Sequence, residues 1–113
     1  MTIYKPERWY VLKITPKDQN PLYKVFGTWY YGNVYGDSWR LNSGIIKVSL
    51  KDSEYNFDGS SGSVYQCNKI DYGTTGYGAF ILSDMVNRVE STGGKLEILP
   101  EETNWLEINY ENP

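Results

Sequence analysis

The hydrophobic pattern of this chain changes period once. Through most of its length apolar and polar side chains alternate, the two-residue repeat of a half-buried strand. Between Ala79 and Ser91 they recur instead as Ile81, Leu82, Met85, Val86 and Val89, which share one helix face. That single switch predicts an α+β fold, a strongly bent antiparallel sheet of about six or seven strands with one main helix packed across it. Gly93 is the expected helix stop, and Asp84, Asn87, Arg88 and Glu90 are expected to face water. At 113 residues with no repeat, linker or low-complexity tract, the chain reads as a single domain.

The strands follow from the alternating runs. Arg8–Ile14 (RWYVLKI), with Tyr10, Leu12 and Ile14 on one face, and Leu22–Tyr31 (LYKVFGTWYY) read as a long hairpin across TPKDQNP, with a bulge or close approach at Gly27. GNVYGDS is a loop before a strand that begins near Trp39 and continues through IIKVSL, with Ile46, Val48 and Leu50 on one face. A short strand over Tyr55–Phe57 turns at Asp58–Gly59, and VYQCNK pairs back onto it. KLEIL and Asn104–Tyr110 (NWLEINY) are two further runs, edge strands or, for the second, an arm reaching a neighbouring subunit.

Composition narrows the function. With 11 basic against 14 acidic residues the formal charge is -3, the wrong sign for coating long nucleic acid, although one arginine and a few amides suffice for a compact anion. There is no histidine and a single cysteine, Cys67, so a Ser-His-Asp or Cys-His centre, a disulfide and a cysteine zinc site are all excluded within the chain. No carboxylate pair is marked out by spacing, and we expect neither a catalytic centre nor a metal nor a cofactor. MTIYKPERWYVLKI is broken by charged residues and proline, so a cytosolic location is expected. Eleven tyrosines and four tryptophans exceed what a core can supply with hydrogen-bond partners, so several belong on a surface or in a cleft.

Three segments carry candidate chemistry. In GDSWRLNSGI, Trp39 offers a ring for stacking, Arg40 a fork for phosphate, and Asn42 and Ser43 hydrogen bonds, with Tyr30 and Tyr31 as further platforms; a cross-strand aromatic ladder with Arg40 on a ring is the plainer alternative. In DGSSGS, Ser61 and Ser63 between glycines can turn amides and hydroxyls toward an anion, or simply form a solvated hairpin loop. In YGTTGYG, Thr74 or Thr75 can cap the helix, while Tyr72, Tyr77 and the glycines can wall a ligand.

At WYVLKI, YKVFGTWYYG, GDSWRLNSGI, GSSGSVYQC and YGTTGYG the chain resembles a group of small proteins encoded by tailed phages. That group in turn looks like the anti-CBASS sponge family, in which a phage protein binds a host cyclic dinucleotide signal without cleaving it. The resemblance implies an immune-evasion protein of the infected bacterial cytoplasm. It implies a homo-oligomer, a tetramer around 3′3′-cGAMP, with no membrane or long nucleic acid as partner. It transfers no ligand residues, so the candidates above rest on chemistry alone. The alternative is a phage protein that inhibits a host protein through its tyrosine-rich surface.

Overall fold

The two longest alternating runs are apolar on both faces, and the layering follows from that. In RWYVLKIT, Trp9 and Val11 enter one buried cluster and Leu12 another; in LYKVFGTWYYGN, Val25 joins the first and Phe26 the second. Adjacent strand residues point to opposite sides, so a sheet built from these strands must be covered twice.

A computed structural model describes the backbone of residues 1–33 and 36–111 and the side chains of 1–30 and 38–111. The chain forms β1 (Ile3–Tyr4), β2 (Arg8–Thr15), β3 (Leu22–Asn33), β4 (Gly36–Leu41), β5 (Ile45–Lys51), β6 (Glu54–Gly59), β7 (Val64–Asn68), a 3-10 turn (Lys69–Asp71), α1 (Gly76–Ser91) and β8 (Lys95–Ile98). The class is α+β with one main helix. Its strands, eight among the described residues, make two sheets of four: a central sheet ordered β4-β3-β2-β8 and an outer sheet ordered β1-β7-β6-β5. On one face of the central sheet α1 lays Leu82 against Leu12, Phe26 and Leu96. On the other face Trp9, Val11 and Val25 meet Phe57, Tyr65 and Cys67 of the outer sheet. Burial pushes the Cys67 thiol well above its ordinary range, as expected of a small core side chain.

The expected hairpin is β2–β3, in register from Arg8↔Thr28 to Ile14↔Leu22, and β7 pairs back onto β6 as expected. The run from Trp39 through IIKVSL is not one strand. It breaks at Asn42–Gly44, where the chain leaves the central sheet and enters the outer one. Asn42 holds the corner by donating its N–H to the Val25 carbonyl (3.0 Å) and accepting the Val25 N–H on Oδ1 (2.9 Å). Gly44 completes it at φ +138, which an L side chain rarely adopts. A register shift between Ile45 and Lys47 displaces Ile46, so Ile45 is the buried residue and Ile46 is exposed.

Three other boundaries differ from expectation. β6 runs through Asp58–Gly59 and turns at residues 60–62, and α1 begins at Gly76, ahead of the expected Ala79, with Thr75, one of the two expected caps, at its start. Strands replace the ends of the expected GNVYGDS loop; its Val34 and Tyr35 lie outside the described residues. Asn104–Tyr110 forms no strand. Trp105 is 1% exposed and packs on Trp9, while Tyr110 meets Tyr23 edge-on at 5.5 Å, so the segment's aromatic side chains anchor it to its own core. The exposed face of α1 is as expected, with Asp84 and Arg88 paired at 2.8 Å. No helix among the described residues is long and apolar enough to cross a membrane.

Candidate functional site

The corner at Asn42–Gly44 sets the end of β4 against the β6–β7 loop, and hydrogen bonds fix the two together. Ser60 N–H donates to the Gly44 carbonyl (2.9 Å), and Ser61 N–H to Ser43 Oγ (2.9 Å). Ser43 Oγ then donates to Ser61 Oγ (3.1 Å), which lies 3.4 Å from Ser63 Oγ. GDSWRLNSGI and DGSSGS, eighteen residues apart at these serines, therefore line one cleft of about 430 Å³. Its volume lies in the range of small-molecule sites.

The remaining wall comes from β1. Parallel pairing of Tyr4 with Tyr65 of β7 brings their rings to 5.0 Å, and the Arg40 guanidinium lies 4.5 Å from the centroid of the Tyr4 ring. Burial pushes the Tyr65 phenol up, and the positive charge of Arg40 pulls it part of the way back. Among the described residues no carboxylate lines the cleft and no ion pair engages Arg40. Arg40 is exposed, and among the described residues nothing pairs with its charge while it lies over the ring.

Asn42 forms part of the lining and is 3% exposed. Its orientation is dictated, because only Oδ1 can accept the Val25 N–H. That leaves Nδ2 on the other side, buried and without a hydrogen-bond partner. A buried unpaired amide is costly by about 1–3 kcal/mol, and this donor lies beneath the cleft surface, where an acceptor reaches it once the lining shifts.

The other expectations are redistributed. Arg40, Asn42, Ser43, Ser61 and Ser63 are brought together. Trp39 is not on Arg40's side of β4: its ring stacks on Phe26 at 5.7 Å and 26° on the α1 face, while Arg40 faces Tyr4. It does line a second cleft of about 360 Å³, with Trp29 and Ser38, that shares Tyr4 and Arg40 with the first. The amide cradle expected of DGSSGS is closed on itself, since Gly59 N–H donates to Ser63 O, Gly62 N–H to Gly59 O, and the Ser60 and Ser61 amides are committed as above. Hydroxyls, not amides, face the cleft.

YGTTGYG contributes nothing to it. Tyr72 packs edge-on against Trp9 at 4.7 Å and donates its hydroxyl to the Leu99 carbonyl at 2.5 Å, so it is held half-buried against the core. Thr75 is buried as the α1 cap, accepting the Gly78 N–H at 3.0 Å. Thr74 borders a small apolar cavity between α1 and the central sheet, with Tyr10, Leu82 and Ile98. Tyr77 and Tyr30 are exposed and line neither cleft, and the Tyr31 side chain lies outside the described residues. Tyr4 and Tyr65 were missed. The alternation of VYQCN marks Tyr65 and Cys67 as sharing a face, but nothing local marks the two-residue strand that carries Tyr4.

Comparison with protein-family models, with curated proteins and with solved structures finds no match to this chain.

Proposed function

We propose that the protein binds a cyclic dinucleotide of the 3′3′-cGAMP class in the Arg40–Ser61 cleft and holds it without cleaving it. The observation that carries this reading is the buried, unpartnered Nδ2 of Asn42 beneath a lining of three serine hydroxyls and an arginine that makes no ion pair among the described residues. Arg40 would engage one phosphate through two parallel N–H donors, and the serines would donate to the remaining phosphate or ribose oxygens. Tyr4 and the Trp29–Trp39 cleft supply ring faces for a base, each worth about 1–3 kcal/mol on stacking.

Stoichiometry follows from the charge. The ligand carries two phosphates, and each chain offers a single cleft arginine. Two copies meeting about a two-fold axis would supply one Arg40 to each phosphate, and a tetramer would hold two such ligands. Retention without turnover fits the lining, which among the described residues holds no histidine, carboxylate or lysine to take a proton from a nucleophile. Removing the signal from solution would silence the host response it triggers, which is the immune evasion that the sequence resemblance implies.

Calorimetry with purified protein and 3′3′-cGAMP tests the proposal, with chromatography of the nucleotide recovered afterwards. The expected result is saturable heat at one ligand per two chains, with the nucleotide intact. No heat at micromolar ligand would overturn the reading, and a linear product would make the protein an enzyme.

A further inference from the structure

A further cavity, of about 350 Å³, shares no lining residue with the Arg40 cleft, and none of the candidate chemistry above predicted it except through Tyr72. Trp9 and Trp105 close its floor, and Tyr55 and Tyr72 stand above them. Trp9 is edge-on to Tyr72 (86°) and crosses Trp105 at 63° and Tyr55 at 61°, while Tyr72 and Trp105 lie closer to parallel at 30°. Trp9 and Trp105 are each 1% exposed, so the ring surface open to the cavity belongs to the half-buried Tyr55 and Tyr72, whose faces attract a cation.

One cation is already there. Lys69, projecting from the 3-10 turn, holds its ammonium 5.6 Å from the centroid of the Tyr55 ring, and among the described residues no carboxylate is within ion-pair distance of it. At the same cavity stand Glu101 and Glu102, carried by the turn in which Thr103 N–H and Oγ both donate to the Pro100 carbonyl. Two carboxylates face one ammonium, so the cavity retains negative charge after Lys69 is counted. The Tyr72 phenol registers that field: burial is the main cause that lifts it to about 12, and Glu101 and Glu102 push the same way.

We infer that this cavity binds an organic cation, a quaternary ammonium or the methylated or basic end of a side chain, with Lys69 as its intramolecular occupant. The aromatic surround supplies the cation–π attraction, and Glu101 and Glu102 select charge over shape. Removing Lys69 therefore frees the site instead of damaging it.

The test uses choline chloride at constant ionic strength, read by the indole N–H signals of the four tryptophans in two-dimensional NMR. Trp9 and Trp105 signals are expected to shift saturably while those of Trp29 and Trp39 stay in place. The uncharged isostere 3,3-dimethylbutanol is expected to produce no saturable shift. Lys69→Ala should tighten choline binding about two- to fivefold, the value of one exposed cation–π contact. Glu101→Gln with Glu102→Gln should weaken it by a similar factor. All three side chains are exposed, so these variants keep the fold. An N-acetyl-trimethyllysine amide run in parallel separates the sources: tighter binding than choline assigns a protein side chain, weaker binding a free small cation. Absence of saturation, equal binding of the neutral isostere, or no gain from Lys69→Ala would each overturn the inference. Arg40→Ala should leave all of it unchanged, so this site and the cyclic dinucleotide site fail or stand separately.

Discussion

Replacing Asn42 with alanine removes two things whose energies oppose each other. Oδ1 accepts the Val25 N–H at 2.9 Å where Val25 is 0% exposed, so its loss orphans a buried amide at a cost of about 1–3 kcal/mol. Nδ2 already lacks a partner, and deleting it relieves a penalty of similar size, about 1–3 kcal/mol. The unliganded variant should therefore unfold within about 1 kcal/mol of the parent, less than the loss of a fully satisfied buried amide. Ligand binding should respond differently. A donor that meets a charged phosphate oxygen is worth about 1.5–3 kcal/mol, so affinity should fall about tenfold to a hundredfold. Urea denaturation followed by circular dichroism gives the first quantity, and calorimetry with 3′3′-cGAMP the second. A variant that loses about 3 kcal/mol of stability yet binds like the parent would refute the reasoning, because Nδ2 would then be satisfied within the fold and idle toward the ligand.

Gly78→Ala should destabilise by about 1–3 kcal/mol although alanine is the better helix former, since the new Cβ would sit 2.7 Å from Thr28 Cγ2 and against Thr74 Oγ1. Gly76→Ala in the same turn meets nothing within 4 Å and should be neutral or stabilising; equal effects in thermal denaturation would contradict the close docking of α1. Trp105→Ala should cost about 3–5 kcal/mol in the same assay, and a near-neutral result would mean that the segment after β8 does not anchor in the core. Stability should also fall at alkaline pH. The Tyr72 phenol is raised from 10.0 to about 12 on folding, so its contribution is complete below the unfolded value of 10.0 and is lost as pH climbs toward 12. Tyr65 and Tyr110 are raised by burial in the same sense and add to the slope, so a flat denaturation profile between pH 9 and 11, values set by the ordinary phenol range, would count against it.

Periodicity made the fold class readable because period two and period 3.6 reflect burial on one side of a local element. What periodicity hides is a strand buried on both sides: the alternation in RWYVLKI put Tyr10, Leu12 and Ile14 on one face, but Trp9 and Val11 on the other are buried, more so than Tyr10 and Ile14. The division into two sheets is hidden for another reason. It depends on Asn42 gripping Val25, seventeen residues away, and an asparagine in a strand-like run carries no mark of such a partner. Thr75 as a cap was legible, since a threonine ahead of an apolar helical run needs only its own neighbours. The Trp39–Arg40 pairing was readable as a contradiction from the start, because neighbours on a strand face opposite ways. Arg40 does lie in the cleft lining, but its ring partner was not foreseeable, as Tyr4 is placed there by a parallel pairing sixty-one residues along the chain. In the C-terminal run Trp105 and Tyr110, five residues apart and so out of phase with a two-residue repeat, both pack on the core and make no ladder.

The most direct measurement is the side-chain NH2 signal of Asn42 in two-dimensional NMR as 3′3′-cGAMP is added. The account predicts a saturable shift there and at the amides of Ser61, Gly62 and Ser63, with a stoichiometry of one ligand per two chains and loss of the response in Arg40→Ala. A nucleotide that binds while these signals stay fixed, or that produces no change anywhere, would contradict it.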